Sequence, residues 1–191
     1  YTTLFRFSPD IHVDIFIVEP TAERNYYTLV TSGMGAHRMN VPKELAEYKL
    51  ERAEIVVYLP ADWNISDHEE KNYWPLRWLK ILARLPLEED SWLGWGHSVP
   101  NGKPFAENTQ LSSVLLINPE NVEEGAAVCQ LPNGEEVNFY QMIPLYEEEV
   151  NFKIQNGAET LLGKMGEISA VVDIHRLNVC EGFGRPKDRK S

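Results

Sequence analysis

A chain of 191 residues is long enough to bury one sizeable core. With 43% hydrophobic and 25% charged residues it has a globular composition, and no apolar run approaches the roughly 18 residues of a membrane helix. Its 18 basic and 29 acidic residues leave a net charge of −11, which argues against nucleic acid or an anionic membrane as the main partner.

From the N-terminus, Ile11 to Val18 alternates apolar and polar positions (Ile11, Val13, Ile15, Ile17) and thickens with Phe16 and Val18, the pattern of a strand with one well-buried face. Tyr26 to Thr31 is rich in aromatic and β-branched residues and reads as a second strand. The short polar segment between them predicts an antiparallel hairpin, and Gly33-Met34-Gly35 ends it. Pro42-Lys43-Glu44 begins a short turn of helix, and Ala53 to Leu59 is a third strand stopped by Pro60. Trp74, Trp78, Ile81, Leu82 and Leu85 then recur at helical spacing over Asn72 to Leu85. Pro75 suits the first turn of that helix and Pro86 follows its end. Such an aromatic stripe is core packing before it is a cofactor site.

The stretch from Ser91 to Ile117 organises the chain. It opens with Trp92, Gly94, Trp95, Gly96 and His97, runs as a loop through Pro100, Asn101, Gly102 and Pro104, and ends as an apolar strand, Val114 to Ile117. A loop with large aromatics is either packed as a lid or used for binding. Ala126 to Leu131 and Glu135 to Ile143 flank Pro132-Asn133-Gly134, a strong tight-turn signal. Tyr146 to Gln155 reads as a helix with Tyr146, Val150 and Ile154 inward, broken at Asn156-Gly157, and Ala158 to Met165 as a second one. Ile168 to Ile174 reads as a last strand. From Gly182 the tail is glycine-rich and basic, so one domain is expected over residues 1–181 with a flexible tail over 182–191.

Chemistry-bearing motifs are sparse. Gly96-His97-Ser98-Val99-Pro100 lacks the second glycine and the following helix of a nucleophile elbow. No phosphate loop, dinucleotide fingerprint or HExxH is present, and the five histidines have no metal-ligand spacing beyond the weak His12-Val13-Asp14. No cofactor or metal is therefore expected. Cys129 and Cys180 form no CxxC pair and read as reduced cysteines of a cytoplasmic protein. From Pro104 to Phe152 there is no Lys or Arg but nine Glu, at 107, 120, 123, 124, 135, 136, 147, 148 and 149. That segment is a solvated surface or an electrostatic face for a basic partner. Glu147-Glu148-Glu149 suits the positive end of a helix dipole better than a metal.

Several stretches taken in order resemble the Suppressor of fused family: Tyr27-Thr28-Leu29-Val30-Thr31-Ser32-Gly33-Met34, then Glu54 to Pro60 with Asp62-Trp63, then Tyr73-Trp74-Pro75-Leu76-Arg77-Trp78-Leu79. Trp92-Leu93-Gly94-Trp95-Gly96-His97 follows with Pro104-Phe105-Ala106, and last Phe139 to Glu149. The resemblance spans about residues 26 to 162 and is nearest to the compact bacterial members. It implies an α/β (α+β) fold, a mixed, largely antiparallel sheet flanked by helices, without catalytic activity. The longer eukaryotic relatives carry a second domain and grip a transcription factor, a role with no counterpart in this length. Many bacterial members resemble immunity proteins that neutralise a toxin, often a nuclease, and an acidic inhibitor steers onto a basic nuclease. The surface expected to bind such a protein comprises Trp95, His97, Asn101, Phe105, Asn108, Glu147, Glu148 and Glu149, with strand addition to a sheet edge as a natural mode. The alternatives are a hydrolase using His97 with a nearby carboxylate, or a structural adaptor.

Overall fold

A computed structural model describes residues 12–120, 122–123, 125–166 and 170–184. Ile11, Glu124, the start of the expected last strand and the tail from residue 185 lie outside them. Among the described residues seven strands form one sheet: β1 Asp14–Val18, β2 Tyr26–Ser32, β3 Ala53–Pro60, β4 Ser98–Pro100, β5 Ser113–Ile117, β6 Val128–Gln130 and β7 Glu136–Leu145. Three α-helices accompany them: α1 Glu70–Glu88, α2 Glu147–Asn156 and α3 Ala158–Met165. The strand order is β1-β2-β3-β7-β5-β4, with β6 pairing β7. Among these described strands β3 and β7 run parallel and the other pairs are antiparallel. The expected mixed, largely antiparallel sheet flanked by helices is therefore the fold that forms.

Alternation along the central strands divides the core into two layers. Ile55, Val57 and Leu59 of β3, Val114 and Leu116 of β5, and Tyr140 and Met142 of β7 meet Trp74, Trp78, Leu79 and Leu82 of α1. Leu115, Ile117, Ile143 and Leu145 face the other way, onto Val150, Leu161 and Met165 of α2 and α3. All five residues of β5 are buried, because both of its faces are covered. The aromatic stripe of α1 is core, as its spacing predicts.

The differences from the sequence expectations have identifiable causes. Helix α1 continues through Pro86 to Glu88, and the following N–H groups still find partners: Glu89 donates to Leu85 O and Ser91 to Pro86 O. Strand β1 lacks the expected buried face. It is an edge strand paired with β2, and while Ile15 and the preceding Val13 pack on the core, Phe16 (59% exposed), Ile17 and Val18 face solvent. In α2 the inward face runs through Glu149, Val150, Phe152 and Lys153, which turns Ile154 outward at 70% exposure. Strand β4 falls where the sequence reads as loop.

No regular last strand forms among the described residues of 170–174; a single bridge joins Val171 to Tyr58. The reason is a fork in the sheet. Strand β7 pairs β3 only as far as Val56↔Gln141, then follows β5 from Gln141 to Leu145. The free edge of β3 beyond Val56 is met by residues 171–172, with Val172 N–H donating to Tyr58 O at 2.9 Å. Gln141 is fully buried there and serves both sides: its Nε2 donates to Ala170 O, and its Oε1 accepts from Glu120 N–H. Burial and neighbouring charges push the Tyr58 phenol up to about 12, and its O–H donates to Glu120 O.

Candidate functional site

The stretch from Trp92 to Asn108 is held to the sheet at both ends. Gly94 is required because a Cβ there would lie 2.6 Å from the Trp92 ring. Gly96, at φ 79°, donates to Leu116 O at 2.7 Å, and Leu116 N–H returns to His97 O. Asn101 N–H donates to Ser112 O, and its side-chain amide closes the following turn onto Lys103 O at 2.7 Å. Phe105 then stacks on Trp74 (centroids 4.7 Å apart, planes 5° apart) and edge-on to Trp78. The loop is thus a packed lid over α1 with an outward rim.

Of the expected surface residues, Phe105 is 2% exposed and Glu149 is fully buried, so neither presents its side chain to a partner. Both are interior for the same reason: each satisfies a neighbouring element, an indole face for Phe105 and a guanidinium for Glu149. Asn108 is half-buried with its amide oxygen enclosed. His97 is half-buried and edge-on to Trp92 at 4.3 Å. Desolvation holds its imidazole below the usual histidine range, opposed by a hydrogen bond to the Trp92 backbone and assisted by the Lys153 cation. The charged group acting on His97 is therefore a lysine, and among the described residues no carboxylate is hydrogen-bonded to or ion-paired with its ring. Trp95 is 40% exposed, beside the point where Gly96 approaches Ala158 at the start of α3.

The structure does bring the loop and the acidic helix start together. A groove of about 820 Å³ runs between the loop from Pro100 to Pro104 and the outer face of α2, Glu147, Asn151 and Ile154. Its far wall is Leu177, Asn178 and Glu181. Lys153 ties α2 to the edge strand by donating to Ser98 Oγ at 3.2 Å, and its burial lowers its pKa. Strand β4 ends the sheet. In its register with β5, His97, Val99 and Asn101 turn their main chain inward, leaving Ser98 N–H and C=O and Pro100 C=O on the outer side.

Arg176, which no motif singled out, fixes the far wall. Its Nη1 and Nη2 donate to Glu149 Oε1 at 2.7 Å and Oε2 at 2.5 Å. Nη2 also reaches Pro144 O at 2.9 Å, on the β7 edge that the fork leaves open, and Nη1 reaches Leu177 O. Glu149 accepts in addition from Tyr146 N–H and Val179 N–H. The guanidinium lies 5.0 Å from the Tyr146 ring centroid, and Tyr146 O–H donates to Arg176 O. Glu148 accepts from Asn178 Nδ2 at 3.0 Å. The only sequence hint was an isolated arginine after an apolar run.

The acidic segment is less uniform than its composition implies. Glu135 is paired with Arg38 and Arg52, Glu136 with Lys49, and Glu149 with Arg176. Hydrogen bonds from Arg52 and Lys49 keep the Glu135 and Glu136 carboxyls below their ordinary range. The groove is lined by Glu147 and Glu181, both exposed, and by Glu148, beside Lys103 and an Arg176 that is already paired with Glu149. Among the described residues no group of three or more His, Cys, Asp or Glu could hold a metal ion. No described helix is long and apolar enough to cross a membrane.

A family model described as "Suppressor of fused protein (SUFU)" matches residues 9–177. A relative from Ureaplasma parvum serovar 3, named "Uncharacterized protein UU111", is 28% identical over 167 residues, 87% of this chain and 78% of that one. A Suppressor of fused homologue from Neisseria gonorrhoeae superposes with a TM-score of 0.64 at 20% identity, covering 93% of this chain and 84% of that one. A structure of the Sufu-Fu complex gives 0.61 at 14% identity over 87% of this chain and 76% of that one. Drosophila Suppressor of Fused gives 0.61 at 15% identity over 87% of this chain, but only 42% of its own length. Likenesses at these identities establish a shared fold.

Proposed function

Because this chain belongs to the Suppressor of fused family, we propose that it is a non-enzymatic protein-binding domain that captures a basic protein. In its most concrete form it is a cytoplasmic bacterial immunity protein that neutralises a nuclease-like toxin. The observation that carries this reading is the groove between the Pro100–Pro104 loop and α2, lined by Glu147, Glu148 and Glu181 against Lys103 and an Arg176 committed to Glu149, with Ser98 at its edge strand. A structural relative was solved as the Sufu-Fu complex, so protein capture has a precedent on this fold. Negative potential at the groove would steer a cationic partner and raise its association rate. The outer side of β4 offers one donor and two acceptors, so strand addition there is short and the groove walls must supply selectivity.

The test is co-purification of the native chain from its source cells, followed by kinetics with the captured protein. The reading expects a partner of basic isoelectric point whose association slows as salt rises, and slows about tenfold or more for Glu147→Lys/Glu148→Lys. An acidic partner, or one indifferent to that charge reversal, would overturn it.

A further inference from the structure

A second cavity opens beside the groove and belongs to no expectation drawn from the sequence. It measures about 440 Å³, within the range of pockets that enclose small ligands. Its floor is apolar: Ile143, Met165 and Val172 are buried, and Val179 is half-buried. It exists because of the fork, since residues 170–179 span the gap that β7 leaves when it parts from β3. Asp173 and His175 lie at its lip, both exposed. Arg176 and Leu177 line this cavity and the groove alike, so the two adjoin across them.

Resting on the reading above, we propose that this cavity is the anchor pocket of the groove and receives one bulky aliphatic or aromatic side chain from an extended, basic segment of the partner protein. Charge decides the chemistry. The guanidinium at the mouth is committed to both oxygens of Glu149 and to two main-chain carbonyls, which makes it a poor seat for an anionic group. The Asp173 carboxylate turns one oxygen to His175 N–H and otherwise faces solvent at the lip. An apolar interior under an acidic lip fits a neutral side chain with a lysine or arginine beside it. Adjacency decides the size of the partner. Leu177, 86% exposed, lines both spaces, and Ile154, 70% exposed, lines the groove, so apolar surface is offered at the divide and in the groove. A free apolar metabolite would fill the cavity and leave this surface and the groove acids without a role. A buried anchor ringed by polar contacts is also how protein interfaces concentrate their binding energy.

The test pans a random 12-residue phage-displayed peptide library on the folded full chain and measures the enriched peptides by fluorescence polarisation. The expected peptides carry one Leu, Met, Phe or Trp close to Lys or Arg. Replacing that residue by Ala should weaken binding at least tenfold, and Leu177→Asp, at an exposed site that leaves the fold intact, about three- to tenfold. The Met165 and Ile143 methyl resonances of the unaltered protein should shift on binding, and Ala170→Phe should block the pocket. If Ala170→Phe fails to fold, the methyl shifts and Leu177→Asp still decide. Peptides weakened by Glu147→Lys/Glu148→Lys, but indifferent to loss of the apolar residue and with unshifted methyls, would overturn the anchor pocket and leave the groove standing. Peptides indifferent to both, or no enrichment, would overturn the two together.

Discussion

Two buried carboxylates hold this molecule together in different ways. Glu54, on β3, is met by neutral donors: Thr31 Oγ at 2.6 Å, and the N–H groups of Gly33 and Gly35 at 2.9 Å each. Thr31 Oγ accepts in turn from Ile55 N–H, so the threonine both donates and accepts inside the sheet. Gly35 is needed at this spot, because a Cβ would come within 2.9 Å of Val137 and 3.1 Å of Glu54. Glu149, on α2, is met by a cation from a distant segment, Arg176. The first clasp closes a loop between adjacent strands and touches neither the groove nor the pocket. The second pins residues 176–179, a shared wall of both. Neutral main-chain donors suit a clasp that only fixes the fold. An ion pair suits one that positions a binding wall, since removing either member leaves the other charged and buried.

The largest effect should follow Glu149→Gln, which strands the Arg176 guanidinium: a loss of roughly 3–5 kcal/mol in urea unfolding, with partner binding abolished. The double replacement Glu149→Leu/Arg176→Met should regain part of that stability, since the Tyr146 and Val179 N–H groups still lack their acceptor, without regaining binding, which separates folding from wall placement. Glu54→Ala should cost about 2–4 kcal/mol, because three buried donors lose their acceptor. Partner affinity, measured well below the melting temperature, should be unchanged; a loss there would erase the distinction between the clasps. Alkali offers a subtler probe of the segment that Arg176 anchors. Burial raises the Tyr58 and Tyr140 phenols to about 12. Their contribution to stability is thus complete below the unfolded value near 10 and is lost as pH rises towards 12. Tyr58→Phe should flatten part of that alkaline limb in fluorescence-monitored unfolding, and leave the part due to Tyr140. The smallest effect on folding belongs to Glu147→Lys, at an exposed position: within about 0.5 kcal/mol by thermal melting, with slower partner association at low salt.

The strands and helices were legible where local periodicity reports burial directly, as in Ala53–Leu59, the α1 stripe and the Asn133-Gly134 turn. Legibility failed where a distant element decides. Phe16 and Ile17 have the letters of a buried strand, but only the place of β1 at the margin of the sheet shows that they face solvent. Ile154 has helical spacing with Val150, yet the pull of Arg176 on Glu149 sets the face that turns inward. Phe105 looked like a rim aromatic because nothing local says that two tryptophans about thirty residues earlier await it. Glu147 and Glu148 were readable as a charged helix start; Arg176, Asn178 and the fork were not, because their partners lie some thirty residues away in the chain.

The parallel pairing of β3 with β7 bears on how the molecule comes to be folded. Ala53 lies opposite Asn138, so the two middle strands of the sheet join segments separated by more than half of the Tyr26–Leu145 span. Contacts so remote slow the search for the native state. During synthesis β1, β2, β3 and α1 emerge with the inner margin of β3 still unzipped, and that margin must stay bare until the ribosome has delivered β7. A nascent chain paused in that interval carries an apolar template for wrong association, so chaperone dependence should peak there, before the acidic helix has appeared.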